Sequence, residues 1–139
     1  PDGTLYDMKT GLEFYALYWE GYTPKTGNYE TGFVIKSDDS VTFLETSLEQ
    51  LGLTRREANE FIVYWLPELE KSQYNFIHFS TEDWEKDVPL TIIPEPETLI
   101  RFMMYYQPLE YPIQVEPQML ESPVRIGFTV VEWGGGIIE

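Results

Sequence analysis

The feature that most constrains the fold is the stretch from Leu51 to Ser80, LGLTRREANEFIVYWLPELEKSQYNFIHFS. It contains a helix-start signal, the longest apolar run of the chain and a second run rich in aromatic residues. The chain has no cysteine, so no disulfide can stabilise it. This stretch therefore has to supply much of the hydrophobic core.

The first part of the stretch indicates helices. Thr54 precedes Glu57 by three residues, which is the spacing of a capping box in which side chain and backbone bond reciprocally. Upstream, residues 41–51 have apolar side chains at helical spacing, and Gly52 follows where a C-terminal glycine cap is common. The pattern predicts a helix pair at about residues 41–51 and 54–60.

Residues 61–66, FIVYWL, are apolar at every position and admit two interpretations. As a helix they continue from Thr54 and end at Pro67, which lacks the amide that a helix needs. As a strand they have the β-branched and aromatic composition and the length of one. We favour a strand, paired with residues 74–79 across a turn at residues 70–73. If residues 61–66 instead continue the helix, the sandwich predicted below is wrong, and the argument from it to an adhesive module is lost.

Short apolar runs bounded by proline or glycine predict the remaining strands. They are residues 12–22, 31–36, 90–93, 98–106, 113–115 and 124–133, with loops at residues 21–27 and 81–89. Together they predict a mainly β fold, an Ig-like antiparallel β-sandwich with a small helical insertion at about residues 40–60. We expect residues 1–139 to be a single β-rich domain. Because the chain starts at Pro1 rather than at methionine, we expect it to be excised from or processed out of a longer protein.

Charge excludes some classes of partner. The 24 acidic and 9 basic residues give a formal net charge of −15. Nucleic acids and anionic membrane surfaces attract basic patches, so we expect neither as a partner. A protein partner, in particular a basic one, and a glycan remain open, and the sequence does not indicate an oligomeric state. No apolar run approaches the roughly 18 residues of a membrane-spanning helix.

Three segments resemble a recurrent region of bacterial, secreted or envelope-associated proteins of unknown function. They are GLTRREANEFIVYWLPELEKSQYNFIHF, IRFMMYYQPLEYPIQVEPQ and RIGFTVVEWGG, and the likeness covers roughly residues 32–135. The resemblance implies a module, often C-terminal, that is located outside the cell or in the cell envelope. It carries over no activity and no catalytic residue.

The candidate catalytic groups do not form a recognisable constellation. His78 is the only histidine, and it has neither a nucleophile motif nor further histidines near it in sequence. Glu20 and Glu132 each adjoin a tryptophan and a glycine, and two carboxylates flanking a cleft are the equipment of a glycosidase. Neighbouring strand residues face opposite sides, however, which opposes such a cleft. We predict no catalytic residue, no metal and no cofactor, and hence no enzyme.

Acidic loops and aromatic side chains are the other candidates. Residues 38–39 and 82–87 are rich in the oxygen ligands that Ca²⁺ prefers, but they lack the spacing of a calcium loop, and we interpret them as solvated. Aromatic residues near acids suggest a platform for a sugar ring or a protein. The predicted binding residues are Trp19, Glu20, Trp84, Tyr111, Glu132 and Trp133.

These expectations define one leading function and three alternatives. The leading hypothesis is a non-catalytic, extracytoplasmic interaction or accessory module. The alternatives are a carbohydrate-binding β-sandwich, an acidic inhibitor-type protein that binds a basic partner, and a hydrolase that uses Glu20 and Glu132.

Overall fold

The computed structural model describes residues 3–21 and 29–138, and the fold is mixed α/β with 31% strand and 27% helix. The elements in chain order are β1 (Leu5–Tyr6), β2 (Glu13–Phe14), β3 (Thr31–Lys36), a 3₁₀ turn (Ser37–Asp39), α1 (Ser40–Gln50), α2 (Arg55–Leu69), β4 (Tyr74–Ser80), α3 (Glu82–Asp87), β5 (Thr98–Leu109), β6 (Glu116–Pro117) and β7 (Thr129–Ile137). The expectation of a mainly β protein is confirmed only in part.

One five-stranded sheet organises the molecule, in the order β6–β3–β4–β5–β7. Strand β4 runs antiparallel to both β3 and β5, whereas β7 runs parallel to β5 and β6 runs parallel to β3. The strands predicted at residues 31–36, 74–79 and 98–106 are therefore confirmed. Among the described residues β7 lies at one edge of the sheet, with β5 as its strand neighbour.

Helix α2 begins as the sequence predicts. The Glu57 carboxylate accepts a bond of 2.7 Å from the Thr54 amide, and the Thr54 hydroxyl accepts from the Glu57 amide, so both halves of the capping box are present. Helix α1 ends before Gly52, whose φ of +91° is the left-handed conformation that favours glycine. The predicted helix pair is confirmed, but the second helix is longer than predicted.

The strand predicted at residues 61–66 is wrong, because these residues continue α2 to Leu69 with Pro67 inside the helix. The buried positions recur at helical spacing: Ala58, Phe61, Ile62, Trp65 and Leu69. Val63 and Tyr64 face outward, with 77% and 55% of their surface exposed. Pro67 also lies on the exposed side, where water can bond the Val63 carbonyl that a proline leaves unpaired.

The core lies between α1, α2 and one face of the sheet, which we call the helical face. Phe61 of α2, Phe79 of β4 and Phe102 of β5 are fully buried, and the Phe102 ring centroid lies 5.6 Å from that of Phe61 and 5.8 Å from that of Phe79. Helices rather than a second sheet therefore cover this face. The two-stranded β1–β2 sheet is exposed and too short to form a second layer, so the sandwich is borne out only in the antiparallel strands β3–β4–β5.

Several smaller expectations are also corrected. Of the strand predicted at residues 12–22 only β2 forms within residues 12–21, and residues 90–93 and 113–115 are not strands. The expected loop at residues 81–89 contains α3, and residues 70–73 join a helix to a strand rather than two strands. The last strand begins at Thr129 instead of residue 124, while most of the predicted loop at residues 21–27 lies outside the described residues.

The glycines after Trp133 belong to β7 and let neighbouring side chains lie against it. A Cβ at Gly135 would collide with the Met104 carbonyl and the Trp65 ring, whereas a Cβ at Gly134 would meet only the end of the flexible Met103 side chain. Close approach of the backbone thus explains the glycine at position 135.

Candidate functional site

The sheet face opposite the helices carries a buried ion pair. The register of β5 and β7 places Arg101 directly beside Glu132, and the Arg101 Nε lies 2.7 Å from the Glu132 Oε2. The Arg101 side chain is 3% exposed and the Glu132 side chain 16% exposed. We call this side of the sheet the Glu132 face.

Two tryptophans also donate hydrogen bonds to this carboxylate. Trp84, which α3 holds over the sheet, donates its indole N–H to Oε2 at 3.1 Å. Trp19 donates its indole N–H to Oε1 at 3.0 Å from a segment 113 residues away in sequence. The two indole rings are stacked with centroids 6.0 Å apart. Glu132 therefore joins β5, β7, α3 and the N-terminal segment at one point.

Hydrogen bonding keeps Glu132 ionised. Burial on its own raises the pKa of this carboxyl, but the bonds from Trp84, Arg101 and Trp19, together with the positive charge of Arg101, outweigh burial and hold the pKa below its ordinary value. Both carboxylate oxygens already accept bonds, so the group is suited to anchoring its donors. It is poorly suited to proton donation, because a general acid has to be protonated at the working pH.

Residues 12–21, which we call the arm, are mostly apolar and yet exposed. The arm is held near Tyr15, whose ring centroid lies 5.6 Å below the Arg56 guanidinium carbon, and again at Trp19 by Glu132. Between these points Leu17 and Tyr18 are 76% and 77% exposed. The arm therefore extends from α2 to the Glu132 face without burying its own side chains.

Between the arm, α2 and β7 lies an open cleft of about 3610 Å³, which we call the arm cleft. Tyr15, Tyr18, Trp19 and Tyr64 contribute aromatic rings to its walls, and β7 lines it from Thr129 to Gly135. At this volume the cleft is larger than the usual small-molecule pocket of about 300–1,000 Å³, so it suits a larger partner. The arm cleft is therefore the candidate functional site.

The charged groups of the arm cleft that lack a partner of opposite sign are negative. Each arginine that lines the cleft is bound to a carboxylate: Arg55 to Glu45, Arg56 to Glu60 and Arg125 to Glu57. Glu13 and Glu20 also line the cleft and have no basic partner within residues 3–21 and 29–138. A ligand that enters the cleft thus meets aromatic rings and carboxylates that have no basic partner among the described residues.

The structure brings together some of the predicted binding residues and separates others. Trp19, Trp84 and Glu132 meet at one point, and Glu20 lines the same cleft but bonds the Tyr18 hydroxyl. Trp133 lines the arm cleft but projects to the helical face, where its ring centroid lies 5.1 Å from that of Phe61, because neighbouring strand residues face opposite sides. Tyr111 is exposed and lies outside the arm cleft.

Sequence reasoning missed Arg101 as a member of this group. The signal was a single charged residue within the otherwise apolar run TLIRFMMYY. A charge inside a predicted central strand requires a partner of opposite sign, since an unpaired buried charge is very costly. Glu132, the one charge in the apolar run TVVEW, would have been the natural choice.

His78 has a structural environment. Its Nδ1 lies 2.8 Å from the Thr31 carbonyl oxygen, and its ring is stacked against Tyr29 with centroids 4.3 Å apart. A carbonyl oxygen only accepts, so Nδ1 carries the proton in this bond. Burial lowers the pKa of His78, against the opposing effects of that bond and of Asp83.

The acidic segments do not assemble into a metal-binding cluster within the described residues. No group of three or more histidine or carboxylate side chains is close enough there to hold an ion. Asp38 pairs with Lys36, and Lys86 of α3 pairs with Glu82 and Asp83.

Comparisons with known proteins add no relative: no family model, no curated protein and no solved structure matches this chain. Within residues 3–21 and 29–138, none of the helices combines the length and the apolar character that crossing a membrane requires.

Proposed function

We propose that this chain is a non-catalytic interaction module whose arm cleft binds a positively charged partner protein. One observation carries the proposal: the apolar arm is fixed at Tyr15 and Trp19, yet Leu17 and Tyr18 between them are left exposed above an open cleft. Apolar surface that is held in place and not buried is typical of a surface that another molecule covers.

The distribution of charge favours a cationic partner. Seven of the 9 basic residues are bound to carboxylates of the same chain. They are Lys36, Arg55, Arg56, Lys71, Lys86, Arg101 and Arg125. With a net charge of −15, the surface attracts cations and repels a second copy of the chain. Complementary charge of this kind accelerates association and selects partners.

The same geometry gives little support to a hydrolase. Glu132 is ionised and bonded at both oxygens, and Glu20 accepts a bond from the Tyr18 hydroxyl. His78 is bonded to the Thr31 carbonyl and stacked on Tyr29. Each of these groups thus has a structural partner in place of a substrate-activating one.

A glycan is the second candidate, because the cleft exposes aromatic rings. Tyr15, Tyr18 and Trp19 are 59%, 77% and 49% exposed, and rings presented in this way can stack on sugars. The carboxylates of Glu13 and Glu20 can accept bonds from sugar hydroxyls, but their negative charge favours lysine and arginine side chains over a neutral sugar. We therefore rank the basic protein partner first.

The setting we propose is the extracellular space or the cell envelope of a bacterium. The support is the resemblance of residues 32–135 to envelope-associated or secreted proteins. The proposal of an interaction module depends on the arm cleft and not on a sandwich fold.

The test is selection from a displayed library of short random peptides, followed by titration of synthetic copies into the purified chain. We expect the enriched peptides to carry net positive charge, to change tryptophan fluorescence and to bind more weakly as salt concentration rises. A parallel glycan array tests the second candidate.

The matched variants are Tyr18→Ser in the arm cleft and Tyr111→Ser outside it, since the two tyrosines are exposed to nearly the same extent, 77% and 75%. Peptide binding should be lost in the first variant and kept in the second. The proposal is overturned if no peptide is enriched, if both variants bind equally well, or if only glycans bind.

A further inference from the structure

We infer that the partner binds as an extended strand that adds to the outer edge of β7, which makes it a sixth strand of the sheet. The inference rests on the proposed function and specifies its mode of binding. In β-strand addition the main chain of the edge strand supplies hydrogen bonds, while nearby side chains select the sequence.

The hydrogen bonds at the two ends of β7 show which of its backbone groups face β5 and which point away from it. The Phe128 carbonyl accepts from the Thr98 amide at 3.2 Å, and the Ile138 amide donates to the Tyr106 carbonyl at 2.7 Å. The N–H and C=O groups of successive residues point to opposite edges of a strand, in the plane of the sheet. The register between β5 and β7 is continuous from Thr129 to Ile137. Even-numbered residues of β7 therefore bond β5, and odd-numbered residues point away from it.

Three outward-pointing residues are central to the proposal: Val131, Trp133 and Gly135. Within the part of the chain that the structure describes, their amides have no backbone partner. They recur every second residue, as the donors of an antiparallel or a parallel ladder do. A row of unpaired amides on a strand of this length is a template for another strand.

The arm lines the same cleft as this row. A strand that enters the cleft beside β7 would therefore share it with the rings of Tyr15 and Tyr18. At a rise of about 3.3 Å per residue, the five residues from Val131 to Gly135 provide an edge of roughly 16 Å. The space is thus lined by hydrogen-bonding groups and by aromatic side chains.

Charge identifies the occupant as a lysine- or arginine-bearing segment of another protein. Glu13 and Glu20 lie on the arm side of the cleft without a basic partner among the described residues. A second copy of this chain would bring another charge of −15 to the same edge, so it fits poorly.

The decisive experiment uses the synthetic peptides enriched by the selection described above, each N-methylated at one residue at a time. N-methylation of a peptide amide that bonds β7 should weaken binding on the order of tenfold, because one hydrogen bond is lost and a methyl group enters the strand interface. Methylation of the neighbouring residue, whose amide points away, should have little effect. The predicted result is therefore a loss of affinity at every second residue.

A protein variant locates the edge. Val131→Pro removes an outward amide and leaves the bonds between β7 and β5, and proline is tolerated at the outer side of an edge strand. We expect it to retain the circular dichroism spectrum of the natural chain and to lose peptide binding. If it does not fold, the N-methyl scan still decides the question.

The outcomes separate the two proposals. An empty selection overturns both. A second outcome is that peptides bind and need Tyr18, but that N-methylation weakens binding without an alternating pattern or does not weaken it at all. This outcome overturns strand addition and leaves the proposal of an interaction module intact. Concentration-dependent dimerisation of the chain alone that Val131→Pro abolishes would overturn the assignment of the occupant, since the edge would then bind a second copy.

Discussion

The two faces of the sheet are held by different kinds of interaction. The helical face is held by apolar packing. Phe61, Phe79 and Phe102 are fully buried there, and the removal of their apolar surface from water stabilises the fold. On the Glu132 face one carboxylate joins Arg101, Trp84 and the arm. The comparison shows a division of tasks within a single strand, β5, in which Phe102 serves the fold while the adjacent Arg101 positions the candidate site.

The largest effect should come from the helical face. Phe102→Ala should lower the free energy of unfolding by about 3–5 kcal/mol, because it leaves a cavity among packed rings. Urea denaturation followed by circular dichroism measures this change. The arm should stay in place at low denaturant, since Trp19 bonds Glu132 on the other face. A loss below about 1 kcal/mol would show that the helical face is not the main core.

The second effect concerns the ion pair. Arg101→Met should destabilise the fold by about 3 kcal/mol, because it leaves the Glu132 charge buried without a cation. The double variant Arg101→Met with Glu132→Leu should regain most of this loss, as replacement of a buried pair by apolar groups often does. A double-mutant cycle by urea denaturation provides the measurement. Equal instability of the single and double variants would contradict the account of this face.

Acid should reveal the third effect at the start of α2. The bonds from Arg125, with those from Thr54, outweigh burial and lower the pKa of Glu57 from 4.5 to about 2. A folded-state pKa below the unfolded value means that the ionised group stabilises the fold above about pH 4.5, and that this contribution is lost as the pH falls towards 2. The free energy of unfolding of the natural chain, measured by urea denaturation, should therefore fall as the pH is lowered over this range.

Glu57→Gln is the control for that titration. The variant should be less stable than the natural chain at pH 7, and the difference between the two should shrink as the pH falls from 4.5 towards 2. A difference that stays constant over this interval would contradict the assignment.

The smallest effect should be the release of the arm. Trp19→Phe removes the indole N–H that bonds Glu132, and we expect a loss of about 1 kcal/mol or less, because Trp19 is 49% exposed. Limited proteolysis should cut the arm faster in this variant, while the rest of the chain stays intact. Unchanged cleavage of the arm would show that Glu132 does not anchor it.

Local signals in the sequence predicted much of this fold. The Thr54–Glu57 capping box and Gly52 identify the helix ends because they act through neighbouring backbone groups. Strands β4 and β5 were predicted from their aromatic and β-branched composition, and both are central in the sheet. These features depend on residues that are close in sequence.

The errors arose where tertiary structure decides. Val63 and Tyr64 are apolar but exposed, so they conceal the helical periodicity of the buried residues in α2. The same exposure is a reason to examine α2 as a wall of the arm cleft, since Tyr64 lines it. The meeting of Trp19 with Glu132 spans 113 residues and depends on strand order, which no local pattern reports.

Amide hydrogen exchange, measured residue by residue with and without a bound peptide, tests the central claim most directly. In the free chain the amides of Val130, Glu132 and Gly134 should be protected, because they bond β5, and those of Val131 and Gly135 should exchange quickly. A saturating peptide should protect Val131 and Gly135. The account is contradicted if these two amides are already protected in the free chain, or if they still exchange quickly when the peptide is bound.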